Sequence, residues 1–95
     1  MNKKIKIITS NLFQKNLKRY KKKHYDISKL EEAIDVLIEN DVQKLRQYND
    51  HSLKGSYKGF RELHIQSDWL LVYRFENNCL ELYLLNLGTH DDLFK

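Results

Sequence analysis

The residues able to do chemistry crowd into two stretches. Asp50 to Trp69 reads DHSLKGSYKGFRELHIQSDW, and Leu87 to Phe94 reads LGTHDDLF. Together they hold His51, His64 and His90, three of the four histidines, along with Asp68, Lys54, Arg61, Trp69 and Phe94. Imidazole exchanges protons near neutral pH and serves as acid or base. A carboxylate beside it holds one tautomer and favours the charged ring. Lysine and arginine neutralise phosphates, and aromatic rings stack on unpaired bases. The combination fits proton transfer at a phosphodiester. Cleavage of RNA by its own 2′-OH needs a base for that proton, an acid for the leaving 5′-oxygen, and positive charge or donors around the phosphate.

Other chemistries fit less well. His64, Asp68 and His90 have the right atoms for a metal. There is no HExxH pattern and no cysteine pair, however, and Lys54 and Arg61 lie close by in sequence. No metal or other cofactor is therefore expected. No serine sits in a nucleophile elbow, and there is no P-loop or GxGxxG. Each histidine taken singly is an ordinary surface residue. Trp69 also suits a core position, and Lys54 and Lys58 suit a solvated surface. The catalytic reading depends on convergence.

Convergence follows from the elements. Lys4 to Thr9 is β-branched and reads as a first strand. Ser10 is an N-cap for a helix with Phe13, Leu17 and Tyr20 on one side and Lys15, Lys18, Arg19 and Lys22 largely on others. Ser28 to Glu31 has the form of a capping box, followed by Leu30, Ala33, Ile34, Leu37 and Ile38 at helical spacing. Asp41 to Tyr48 reads as a short helical turn. Three strands follow: Phe60 to Ile65, Trp69 to Phe75 and Cys79 to Leu87. A two-residue turn at Asn77-Asn78 sets Phe75 opposite Leu80 and Arg74 opposite Glu81. A three-residue loop, Gln66 to Asp68, sets Leu63 opposite Leu71 and His64 opposite Leu70. The expected fold is α+β, in the order β-α-α-β-β-β, with an antiparallel sheet packed on a helical hairpin. In such a meander His64, Asp68, Trp69 and the Gly88-Thr89-His90 exit share one rim. The position of His51 does not follow from this pairing.

The 95-residue chain has room for one domain, spanning 1–95, and one modest core. No apolar run is long enough for a membrane span, and none resembles a signal peptide. Cys79 is the only cysteine, which suits a reducing cytoplasm. The net charge is +4, and Lys15 to Lys23 carries six positive charges in nine residues. Such a cluster suits a polyanion such as ribosomal RNA, or simply a solvated helix face.

Four spaced motifs resemble one family. They are Asp50-His51-x-Leu53-x-Gly55, Lys58-x-Phe60-Arg61-x-x-His64, Asp68-x-Leu70-Leu71-Val72-Tyr73, and Leu87-Gly88-Thr89-His90-x-x-Leu93-Phe94. Their order is that of the YafQ branch of the RelE/ParE toxin superfamily. The resemblance implies a RelE-like microbial ribonuclease fold and a type II toxin that cleaves mRNA in the A site of the 70S ribosome. It also implies a cognate antitoxin partner and no membrane. By position, the functional histidines and aspartate fall on His51, His64, Asp68 and His90, and the C-terminal aromatic on Phe94. Members often carry arginine where this chain has Asn86, so neutralising the phosphate falls to Lys54, Arg61 or Arg74. The expected mechanism has Asp68 with His64 activating the 2′-OH, His90 protonating the leaving oxygen and His51 orienting, with acid and base exchangeable. Lys54, Arg61, Trp69, Arg74 and Phe94 are the substrate-binding candidates. Two rival readings are a gyrase-poisoning toxin on the same fold and a non-catalytic RNA-binding or ribosome-binding module.

Overall fold

Strand β1 (Lys6–Thr9) passes straight into helix α1 (Asn11–Lys22) at Ser10, whose hydroxyl accepts from the Phe13 amide at 2.9 Å. This is the expected N-cap. A computed structural model describes residues 4–94 of the chain. Helix α2 (Ile27–Glu39) is capped by Asp26, not by Ser28. The Asp26 carboxylate accepts from both the amide and the hydroxyl of Ser28, which draws Ser28 into the first turn. The helix ends at Asn40, in the left-handed region at φ 54°. A short helix α3 (Val42–Gln47), capped by Asp41, leads to strand β2 (His51–Ser52). Strands β3 (Arg61–Gln66), β4 (Trp69–Glu76) and β5 (Glu81–Gly88) and helix α4 (His90–Phe94) complete the described fold.

The sheet order is β1-β5-β4-β3-β2. β1 runs parallel to β5, so the sheet is mixed and not wholly antiparallel as expected. The helices between β1 and the rest of the sheet supply the crossover that a parallel pair requires. α1 lies against β5 and α2 against β3. The core between helices and sheet contains Phe13, Tyr20, Leu30, Ala33, Leu37, Leu71, Tyr73, Leu82 and Leu84. A smaller cluster on the opposite face joins Leu70, Val72 and Leu93, with Leu53, Tyr57, Phe60 and Leu85 packed against them. Among the described residues no helix is long and apolar enough to cross a membrane.

The first hairpin has the expected pairs, Leu63 with Leu71 and His64 with Leu70. A register shift at Ile65 then sets Gln66 opposite Trp69 and leaves Ser67 and Asp68 at the tip. The second hairpin differs from expectation. Phe75 pairs with Leu82 and Arg74 with Tyr83, because Asn77, Asn78 and Cys79 all take left-handed conformations and the loop widens to four residues. The shift is by two up to Leu84, so the helix-facing set survives there; a bulge at Leu85 then breaks the alternation and brings Leu87, opposite Leu71, into the helix-side core. Leu80 leaves that set and is exposed, and Arg74 pairs with Glu76 at 2.5 Å in place of Glu81.

Tyr20 ties the core to the C-terminal helix. Its hydroxyl accepts from the Thr89 amide at 3.0 Å and donates to the Asp92 carboxylate, which also takes Arg19 at 2.5 Å. The Tyr20 bond, helped by the charges of Arg19 and Lys23, holds Asp92 below the usual carboxylate range. A depressed carboxylate contributes stability above its unfolded value and loses it as pH falls through its folded one. Tyr20→Phe should therefore lower stability by about 1–2 kcal/mol near neutrality. In urea unfolding across pH, the deficit should shrink below about pH 4.

Candidate active site

Antiparallel partners on neighbouring strands share a face of the sheet. His51 pairs with Glu62, Glu62 with Val72, and His64 with Leu70. The unplaced histidine is thus brought in by β2, a two-residue strand that adds itself to the edge of β3. The backbone of the same segment continues the pairing, with the His64 amide donating to the Tyr48 carbonyl at 2.7 Å. His90 arrives from β5 through Gly88 and Thr89. Gly88 gives a close fit there: a Cβ would lie 3.1 Å from Asp92 Cβ and 3.2 Å from the Tyr20 hydroxyl, so those neighbours would have to give by a few tenths of an ångström.

The three imidazoles meet over one buried carboxylate. Glu62 is 3% exposed. Its carboxylate lies 3.4 Å from His51 Nε2, 4.0 Å from His64 Nε2 and 3.8 Å from His90 Nε2. The rings of His51 and His64 are 6.3 Å apart, and those of His64 and His90 5.7 Å apart. Each Nδ1 faces an oxygen that can only accept. His51 Nδ1 is 2.7 Å from the Asn49 carbonyl, His64 Nδ1 is 3.3 Å from the Ser67 carbonyl, and His90 Nδ1 contacts the Asp68 carboxylate. All three therefore carry their proton on Nδ1, and all three turn Nε2 inward. Burying a carboxylate is costly unless charge or donors meet it, and Glu62 Oε1 has no hydrogen-bond partner among the described residues.

Asp68 bonds to His90 and not to His64 as the sequence suggested. One carboxylate oxygen takes the His90 side chain and the His90 amide, the latter at 3.1 Å. These bonds hold Asp68 below the usual carboxylate range, the side-chain bond to His90 most of all. The reason is topological: Asp68 sits at the tip of the β3–β4 turn, facing the N-terminus of α4, whereas His64 hangs back along β3.

The binding candidates divide. Phe94 is 42% exposed, edge-on to Tyr57 at 5.4 Å and 6.0 Å from the His90 ring. Lys54 is exposed just before a single 3-10 turn, Gly55–Tyr57. Arg74 lies on the same sheet face as His64. Trp69 does not reach the surface. It is 1% exposed, packed against Tyr25 at 4.9 Å and Tyr20 at 5.8 Å, because its register puts it on the helix side. Arg61 pairs with Tyr73 in register and so points to that same side, away from the histidines. There its guanidinium grips Asp50 at 2.9 Å, which raises its pKa further. Tyr73 donates to Asp50 as well, and burial raises the tyrosine's pKa. Asn86 is buried and accepts from Asn16 at 2.6 Å and from the Leu87 amide at 2.8 Å.

Glu62 is the residue that sequence reasoning missed. The signal was alternation: two residues before His64 on one strand, it had to share that face. Glu62, His64 and His90 offer three ligand atoms within 4.8 Å of one another, a nitrogen and oxygen set able to hold a first-row transition ion. An ion there would take up the Nε2 lone pairs of His64 and His90 that face Glu62.

A mixed five-stranded sheet with helices against it is the fold of the RelE-like toxins. The model of the bacterial YafQ toxin of type II toxin–antitoxin systems matches residues 5–95. The mRNA interferase toxin YafQ of Escherichia coli K12 is 36% identical over 85 residues, 90% of each chain. The crystal structure of the E. coli DinJ–YafQ toxin–antitoxin complex superposes at TM-score 0.83, with 35% identity, covering 97% of this chain and 99% of the other. A metal-bound toxin from Helicobacter pylori superposes at 0.80 with 36% identity, covering 95% and 99%. The chain belongs to the YafQ family of type II toxins.

Replacing Glu62 by Gln removes the shared anion while keeping the side chain's size. In 15N-edited spectra of the imidazoles, Nε2 resonances of all three clustered histidines should move together. Movement of one alone would show that they do not share this carboxylate.

Proposed function

We propose that the chain is a ribosome-dependent endoribonuclease that cuts mRNA in the ribosomal A site by metal-free acid–base transesterification, with a cognate antitoxin restraining it. The observation that carries this reading is the set of three Nε2 atoms turned toward one buried carboxylate, in a family whose E. coli member is named an mRNA interferase. The 2′-oxygen of the substrate attacks phosphorus as its proton passes to His64 Nε2. The P–O5′ bond breaks as His90, in its imidazolium form with a second proton on Nε2, gives that proton to the departing oxygen. The products are a 2′,3′-cyclic phosphate and a 5′-hydroxyl end. Asp68 fixes the His90 ring, Glu62 balances the positive charge that arises on the imidazoles, and His51 completes the pocket. The two proton-transfer roles can be exchanged between His64 and His90 within this geometry.

Lys54 serves the scissile phosphate, Arg74 a phosphate further along the strand, and Phe94 stacks on a base. Lys15, Lys18, Arg19 and Lys22 on α1 face ribosomal RNA phosphates, giving a salt-dependent affinity. Positioning by the ribosome supplies part of the rate, so activity on free RNA is weak. This reading requires the cytoplasm, where ribosomes are. The solved complex of the E. coli relative with DinJ supports an antitoxin for this chain too. A gyrase poison on the same fold has no use for the histidine cluster, and a DNA supercoiling assay separates the two.

Mapping mRNA 5′ ends after induction should reveal new ends in register with codons; their absence would contradict the proposal. Single-turnover cleavage on programmed ribosomes should fall about 100-fold or more in His90→Gln, as expected for a lost acid or base. Asp68→Asn should fall less, since it still reaches His90. Near-normal rates in both would refute the assignment. Cleavage should persist in EDTA, and a loss restored by added zinc would contradict the metal-free mechanism.

A further inference from the structure

A second cluster shares the sheet face of Glu62 and His64. Leu70 stands opposite His64, and Arg74 lies four residues further along β4, about 13 Å at ~3.3 Å per residue. The Arg74 guanidinium sits over the Phe60 ring at 4.5 Å and the Tyr83 ring at 6.0 Å, and the two rings are 6.4 Å apart. Glu76 takes its Nε at 2.5 Å, the only side-chain hydrogen bond or ion pair of Arg74 among the described residues. Both Nη groups thus remain uncommitted on a guanidinium already fixed by stacking and by a carboxylate. A held arginine fork matches a phosphate, and the half-exposed rings beside it match a base. Leu70 and Val72 precede Arg74 on the same face of β4, and Phe60, Leu53 and Tyr57 pack against them.

We propose that Arg74, Phe60 and Tyr83 form a second nucleotide subsite, which holds the phosphate and base of an unpaired residue flanking the cleaved bond. The subsite rests on the ribonuclease reading and extends it from one scissile linkage to a strand laid along the sheet. It also supplies a cation on the substrate face, where Asn86 provides none and Arg61 faces the other way.

The test is binding of fluorescein-labelled 2′-O-methyl oligoribonucleotides, which cannot be cleaved, as a trimer and a decamer. Wild type should bind the decamer more tightly than the trimer. Arg74→Ala should weaken the decamer about tenfold, lower the slope of log affinity against log salt by about one, and leave the trimer unchanged. Arg74→Lys keeps the charge without the fork and should fall between. Tyr83→Leu keeps apolar bulk and should weaken the decamer severalfold; these two variants carry the test if Arg74→Ala does not fold. Equal affinity of wild type for both lengths, or unchanged decamer binding in folded Arg74 and Tyr83 variants, overturns the subsite. Mapping 5′ ends with the same wild-type preparation keeps the two proposals apart. Length-dependent binding without new ends upholds the subsite and overturns the nuclease reading, and new ends with length-independent binding do the reverse.

Discussion

The carboxylate of Glu62 is the constraint around which this protein is arranged. It is buried on the sheet face where three imidazoles arrive from different parts of the chain, His51 on β2, His64 on β3 and His90 at the start of α4. Each ring is anchored at Nδ1 by an oxygen outside the cluster, so each must present Nε2 inward. An uncompensated carboxylate in that position would be costly, and three unanchored imidazoles would have no fixed direction. The arrangement stores proton acceptors and donors within reach of one another and leaves His51 and His90 about half exposed to a substrate.

The rest of the fold serves that convergence. The Asp50 carboxylate, gripped by Arg61 and Tyr73 on the helix side, fixes the chain one residue before His51. On the other flank, Tyr20 and Arg19 of α1 hold Asp92, and Tyr20 also holds the Thr89 amide, so the start of α4 cannot drift from the core. Two anionic side chains on opposite sides of the site thus act as pins, Asp50 held by Arg61 and Tyr73 and Asp92 by Tyr20 and Arg19. This explains why Arg61, near the motif histidines in sequence, faces away from them.

Much of this was legible beforehand because it depends on alternation. The pairing of His64 with Leu70 followed from which residues had to face the helices, and it placed Asp68 and His90 on one rim. The parallel pairing of β1 was not legible, since four β-branched and basic residues carry no sign of direction. The Arg74–Glu81 pair was a reasonable electrostatic guess, but three successive left-handed residues reset the loop, and Arg74 found Glu76 on its own strand. Trp69 was ambiguous in sequence because an aromatic at a strand start suits stacking or packing equally; only the register, shared with Leu71 and Tyr73, decided for the core. Glu62 escaped notice because a lone glutamate in a strand resembles any solvated residue until its neighbours across the sheet are known.

If the cluster acts as one unit, its members cannot contribute independently. The most direct measurement is a double-mutant cycle with Glu62→Gln and His90→Gln, read as single-turnover cleavage on programmed ribosomes. The account predicts that the double variant is about as slow as the slower single variant, because removing either breaks the same device. Rate losses that multiply, with each substitution costing its full factor in the presence of the other, would contradict it.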